Sequence, residues 1–219
     1  MNETRPQIRI AVNTMRARLT VIGFNLAIIT FQITHLLAVR SGAQLPDFHP
    51  SLHVAAMVAL YFALLLSISA MVLFIVSGKL SDDGICDSSA VIAGDLLMYL
   101  GLAYGLVGFF QPIINDLSAH ELPSAEETAA YKSLLTLISN GTAVVWTLVA
   151  FVGPGVSLVR SPFSFRRNVA LGVGYLILMM VLGHFWGIAS ELQASLENKP
   201  VTAWPWIRTF FMPIDWLAP

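Results

Sequence analysis

Apolar residues run through this chain in five long blocks, and polar residues collect between them. The blocks are Leu19–Val39, Leu52–Val76, Ala90–Ile114, Leu134–Val159 and Val169–Leu192. Each is long enough to cross a bilayer, because ~30 Å of hydrocarbon needs ~20 helical residues. None alternates with period two, so the strands of a membrane barrel do not fit. A backbone inside hydrocarbon must satisfy its own hydrogen bonds. The pattern therefore predicts an all-α integral membrane protein, a bundle of five transmembrane helices joined by short loops. The first block is longer than the ~7–15-residue core of a secretory signal, which predicts an anchor that stays.

The flanks have their own patterns. Residues 1–18 space apolar residues between arginines and read as an amphipathic arm on the cytoplasmic leaflet. Residues 193–219 are too short to span and carry Trp204, Trp206 and Trp216. Tryptophans at such a position are expected to anchor an interfacial tail. Between the flanks lies one membrane domain, 19–192.

Local signals refine the helix ends. Ser161-Pro162 predicts a cap and first residue ahead of the fifth helix. Ser124 with Glu127 fits a capping box, so the fourth helix should begin before its apolar part. Asp87 is placed to cap the third. Gly153-Pro154-Gly155 should bend or end the fourth.

Composition agrees with the blocks. Of 219 residues, 56% are hydrophobic and only 11% charged. A soluble domain carries ~25% charged residues, so most of this surface must face something apolar. A net charge of -1 offers no basic field for nucleic acid. The single cysteine, Cys86, excludes an internal disulfide and a thiolate metal cluster.

Charge sets the expected orientation. Arg5, Arg9, Arg16, Arg18, Lys79, Arg160, Arg166 and Arg167 share one side, and Arg40, Lys132, Lys199 and Arg208 the other. The positive-inside rule then puts the N-terminus in the cytoplasm and the C-terminus on the outer face of a cell inner membrane.

Two glycine pairs are expected to let helices approach closely, Gly101/Gly105 in the third block and Gly183/Gly187 in the fifth. Gly94 and Gly108 lie near the face of the first pair. Ionisable residues at membrane depth are costly and are therefore candidates for function. Asp95 is the clearest, with Tyr99 one turn on as a possible donor to it. In the first block Asn25 and Gln32 lie on one stripe with His35 nearby. Such a stripe serves interhelical hydrogen bonds or lines a pathway for ions or protons. His35 and His184 fall at matched depth on different helices and could share a proton, bind a quinone or ligate a b-type haem.

No phosphate-binding loop, zinc-binding, nucleophile-elbow or paired-cysteine motif occurs, and the loops are too short for a soluble catalytic site. An enzyme is not expected, and no cofactor is required by any motif. No internal repeat supports an inverted-repeat transporter. Three functions stay open. The first is a homo-oligomeric channel or transport pathway using the polar stripe and Asp95. The second is a non-catalytic accessory subunit of a larger membrane complex. The third is a haem- or quinone-binding subunit using His35 and His184. Membrane lipid is the expected partner in all three.

Overall fold

The computed structural model describes residues 8–9, 12–42, 53–77, 85–86, 88–118 and 125–196. The described chain is mostly helical, with one short antiparallel pairing and short connecting turns. Helix α1 spans Val12–Gly42, α2 Val54–Ser77, α3 Ala90–Ser118 and α4 Ala125–Thr147. A π-helical turn, Leu148–Val152, joins α4 to α5 at Gly153–Val159, and α6 spans Phe165–Leu196. Strands β1 (Ile8–Arg9) and β2 (Ile85–Cys86) pair antiparallel, so the segment before α1 lies beside the α2–α3 connection. Five stretches are long and apolar enough to cross a membrane: Met15–Thr34, Val54–Ser77, Ala90–Asn115, Thr128–Val159 and Phe165–Leu196.

The helices run alternately up and down. Contacts between the start of α3 and the end of α2 (Gly94 with Phe74), and between the start of α2 and the end of α6 (Ala55 with Gln193), fix this order. Helix α3 is the hub. In its most apolar stretch 61% of residues are buried, against 22–39% in the other four, and among the described residues it carries none of the large exposed apolar side chains. The outer helices instead present Phe24, Phe31, Ile75, Leu137, Val159 and Phe165 outward.

Helix α3 meets α2 along its glycines. Gly94, Gly101 and Gly108 are seven apart, so they form one stripe. They face Phe74, Ser67 with Ala63, and Leu60 with Ala56. A Cβ at Gly108 would lie 2.5 Å from Leu60 Cγ and 3.0 Å from the Ala56 carbonyl oxygen. Only glycine admits α2 this closely, and the alanines opposite complete the fit. Gly101 and Gly105 thus serve packing within one chain.

The helix ends depart from expectation in several places. Helix α1 starts at Val12, so the last residues of the N-terminal arm continue the first helix. Helix α6 starts at Phe165 rather than at Pro162. Ser161 Oγ instead accepts from the Phe163 N–H in a tight turn, and Asn168 Nδ2 donates to the Leu158 and Phe163 carbonyls. Those bonds hold the chain in a corner that Pro162 alone would not make. The Ser88 hydroxyl accepts from the Ala90 N–H at the start of α3. Helix α4 does begin ahead of its apolar part, at Ala125; Ser124, Asp87 and the tail tryptophans Trp204, Trp206 and Trp216 lie outside the described residues.

Gly153-Pro154-Gly155 neither ends the helix nor stands alone. The π turn precedes it, with the Gly153 N–H bonded to the Leu148 carbonyl. Pro154 has no N–H to give to Ala150 one turn back. Tyr175 Oη of α6 donates to that carbonyl instead, at 2.6 Å. A side chain from another helix meets the acceptor that proline leaves open, so the helical path continues to Val159.

Candidate functional site: the polar seam of the first three helices

The inner face of α1 is read from spacing. Arg18, Ile22, Asn25, Ile29 and Gln32 recur four and three residues apart, which places them on one stripe. Ile22, Asn25, Ile29 and Gln32 are all buried. The stripe meets α2 and α3, so its polar members must find partners there or lose hydrogen bonds.

Two of them do. Arg18 Nη2 donates to Asp95 Oδ2 at 2.6 Å, a salt bridge between α1 and α3. The Arg18 guanidinium carbon also lies 5.5 Å from the centre of the Phe74 ring, so α2 supplies a cation–π contact. One turn and more along, Asn25 Nδ2 donates to Ser67 Oγ of α2 at 2.8 Å, while its carbonyl rests against Gly105. A Cβ at Gly105 would stand 2.6 Å from Asn25 Oδ1. Gly105 therefore makes room for a polar side chain, whereas Gly101 and Gly108 make room for a helix.

Asp95 is only 4% exposed, so protein rather than solvent surrounds it. Its Oδ1 and Arg18 Nη1 are enclosed without a hydrogen-bond partner among the described residues. A buried pair this incompletely satisfied is a weak source of stability, but removing one partner strands the other charge. Chemically it is a site where a proton or small cation could be exchanged for a pairing interaction.

The remaining candidates separate. Tyr99 does not bond to Asp95; its ring packs on Gly153, where a Cβ would meet Tyr99 Cε1 at 2.6 Å. His184 is on the exposed face of α6, beside Phe185. Helix α1 packs on α2 and α3, and α6 on α2, α3 and α5. The His35 side chain lies outside the described residues. Gly183 and Gly187 are buried on the inner stripe of α6 with Tyr175, Met179, Trp186, Ala189 and Gln193.

Sequence reasoning counted Arg18 among the charges of the arm and missed it as Asp95's partner. The signal was available: Arg18 precedes Asn25 by seven residues, as Asn25 precedes Gln32. Ser67 was missed as well, because a lone serine within an apolar block has no pattern to mark it.

On the other side of α3, Leu100, Ala103, Tyr104 and Val107 of α3, Trp146 of α4, and Met179, Gly183 and Trp186 of α6 line a small cleft of about 20 Å³. Its walls are apolar and aromatic. The Trp186 indole nitrogen is buried and has no hydrogen-bond partner among the described residues.

No family model matches this chain, and no curated protein or solved structure matches it.

Proposed function

We propose that the chain is a multi-pass membrane protein, N-terminus cytoplasmic and C-terminus on the outer face of an inner membrane. In it the Arg18–Asp95 pair controls a pathway for protons or small cations. The membrane placement is supported by the outward Phe, Leu, Ile and Val of the peripheral helices, which lipid would cover and water would not. The orientation rests on the excess of Lys and Arg at the end of the bundle where α1 and α3 begin.

The single observation that carries the pathway reading is the enclosed ion pair with an unmet oxygen and an unmet nitrogen. An ionisable pair inside a span costs free energy that apolar residues would avoid, which makes it a functional feature by default. The pair sits ~8–10 Å beyond the starts of α1 and α3, at 1.5 Å per residue, within reach of the cytoplasmic face. Protonation of Asp95 or entry of a cation beside it would release Arg18. The stripe continues outward through Asn25–Ser67 to Gln32. Assembly of several copies would supply any wider conduit.

The test is ion or proton flux in liposomes containing the purified protein. Flux that disappears in Asp95→Asn supports the reading; wild-type protein that carries none under any gradient removes it.

A second reading, an accessory subunit of a larger complex, is favoured by His184. A histidine exposed on the outer face of a span is better accommodated against a protein partner than in hydrocarbon. Extraction in mild detergent should then yield a stoichiometric partner, and His184→Leu should release it.

A further inference from the structure

The Arg18–Asp95 pair leaves one atom unused on each partner, and the unused oxygen decides what the site accepts. Asp95 Oδ2 and Arg18 Nη2 hold each other at 2.6 Å, while Asp95 Oδ1 and Arg18 Nη1 are enclosed without a hydrogen-bond partner among the described residues. A carboxylate oxygen left in that state calls for a positive centre, either a proton or a metal cation. The surroundings distinguish the two. A hard cation such as calcium or magnesium takes ~6–8 oxygen ligands, counting any waters it keeps. Here it would meet one unused carboxylate oxygen and, beside it, a guanidinium. Among the described residues no three of His, Cys, Asp and Glu come together to hold a metal. The neighbours are apolar: the Arg18 guanidinium lies over Phe74, which packs with Ile22, Ala70, Val91 and Met98 in one buried cluster. A proton needs no coordination shell, and Oδ1 accepts one with no neighbour displaced.

No other described charge competes for the site. Helices α2 and α5 contain no charged residue, and the tyrosine of α2, Tyr61, is exposed near its other end. Arg16 of α1, Arg160 after α5, and Arg166 and Arg167 of α6 are exposed. Tyr99 of α3 turns its ring to Gly153. Glu126, Glu127 and Lys132 of α4, and His184 and Glu191 of α6, lie toward the opposite end of the bundle. Arg18 is thus the one described charge that faces Asp95.

The part that moves follows from how the helices begin. Strand β1 pairs with β2, Ile8 with Cys86 and Arg9 with Ile85, just ahead of α1 and α3. This clasp ties the two helices together beside the pair, so parting them would break backbone hydrogen bonds. The Arg18 side chain is not held in that way. It lies three residues inside the apolar stretch that begins at Met15, ~5 Å along the helix. Neutralising Asp95 would strand the guanidinium, and an arginine stem is long enough to carry its charge out to the headgroups.

We propose that the species exchanged at this pair is the proton and not a metal cation, with Arg18 as a swinging counter-charge. Asp95 Oδ1 takes a proton from water at the cytoplasmic face and becomes a neutral carboxylic acid. The Oδ2–Nη2 pair then opens, and Arg18, still protonated, turns toward the cytoplasmic headgroups. Return of the proton to water draws Arg18 back. This assignment rests on the pathway reading for its role and names the species that the pathway would carry.

The full chain in liposomes gives two readings. The first is the infrared difference spectrum between neutral and acid pH. A protonated-carboxyl band is expected, together with a change in the guanidinium bands. Asp95→Asn should remove the carboxyl band, Asp95→Glu should restore it at a displaced frequency, and Glu191→Gln should leave it unaltered. Arg18→Lys should keep the carboxyl band and remove the guanidinium change. Asp95→Glu and Arg18→Lys preserve both charges, so they report even if Asp95→Asn does not fold. A carboxyl band indifferent to both Asp95 variants overturns the proposal, and so does an Asp95 band with no guanidinium change. The second reading is uptake of protons, Na⁺ and K⁺, each measured alone and the metal cations without a pH gradient. Proton uptake by itself supports the proposal. Na⁺ or K⁺ uptake that Asp95→Asn abolishes overturns it while leaving the pathway reading in place. An Asp95 band without uptake of any ion removes the pathway reading and leaves proton exchange at the pair supported.

Discussion

The two sides of α3 are built from the same helix by opposite means. Toward α1 and α2, glycines and alanines bring backbones together, and Arg18–Asp95 and Asn25–Ser67 stitch the contact with polar bonds. Toward α4 and α6 the side chains are large and aromatic, and they line a small cleft of about 20 Å³. The first side is close to rigid, because a polar bond inside an apolar bundle has no water to exchange with. The second rests on apolar and aromatic contacts, which are individually weak and non-directional.

The sharpest way to break the contrast is to remove one charge on the tight side. Asp95→Ala should destabilise the protein by about 3–5 kcal/mol, because Arg18 is left buried without its carboxylate. Thermal melting in detergent reads this. The double change Arg18→Met with Asp95→Leu should restore stability to within about 1–2 kcal/mol of wild type while flux stays absent. If flux survives in the double variant, the pair is a fastener and not a gate.

Next in size is the glycine stripe. Gly108→Leu should cost about 1–3 kcal/mol or more, since the new side chain meets Leu60 and the Ala56 carbonyl of α2. Gly141 of α4 has open space where a Cβ would stand, so Gly141→Ala should be neutral or stabilise by about 0.5–1 kcal/mol. Equal losses at the two glycines would show that α3 is not the hub.

A smaller effect belongs to the joint below the cleft. Tyr175→Phe removes the bond to the Ala150 carbonyl, which Pro154 cannot replace. A loss of about 1 kcal/mol is expected, together with faster hydrogen exchange around Leu148–Val152 than around α3. Unchanged exchange there would mean that the π turn is held by its own helix.

Much of this fold is legible in the chain, and the reason differs from residue to residue. The five long helices follow from block length alone. The Gly101 contact follows from small residues four and seven apart, a periodicity that any helix converts into a stripe. Asn25 and Gln32 are legible for the same reason. The corner at Ser161–Ser164 was not, because it depends on Asn168 reaching back to the Leu158 and Phe163 carbonyls. Tyr99 was assigned to Asp95 by spacing along one helix, but Gly153 of α5 offered its ring a better surface. His184 was paired with His35 by depth; the structure places His184 on the exposed face of α6, and the His35 side chain lies outside the described residues.

The amino-acid sequence by itself determined the number of long apolar helices, their polarity at each end and the stripe on α1, since these depend on composition and on the fixed 3.6-residue period. Only the tertiary structure decided that α3 would be central, that Asp95 would meet Arg18, and that Tyr99 would pack on Gly153. Those outcomes depend on which faces of different helices come together, and rotation of one helix against another is set by mutual fit rather than by the pattern of either alone.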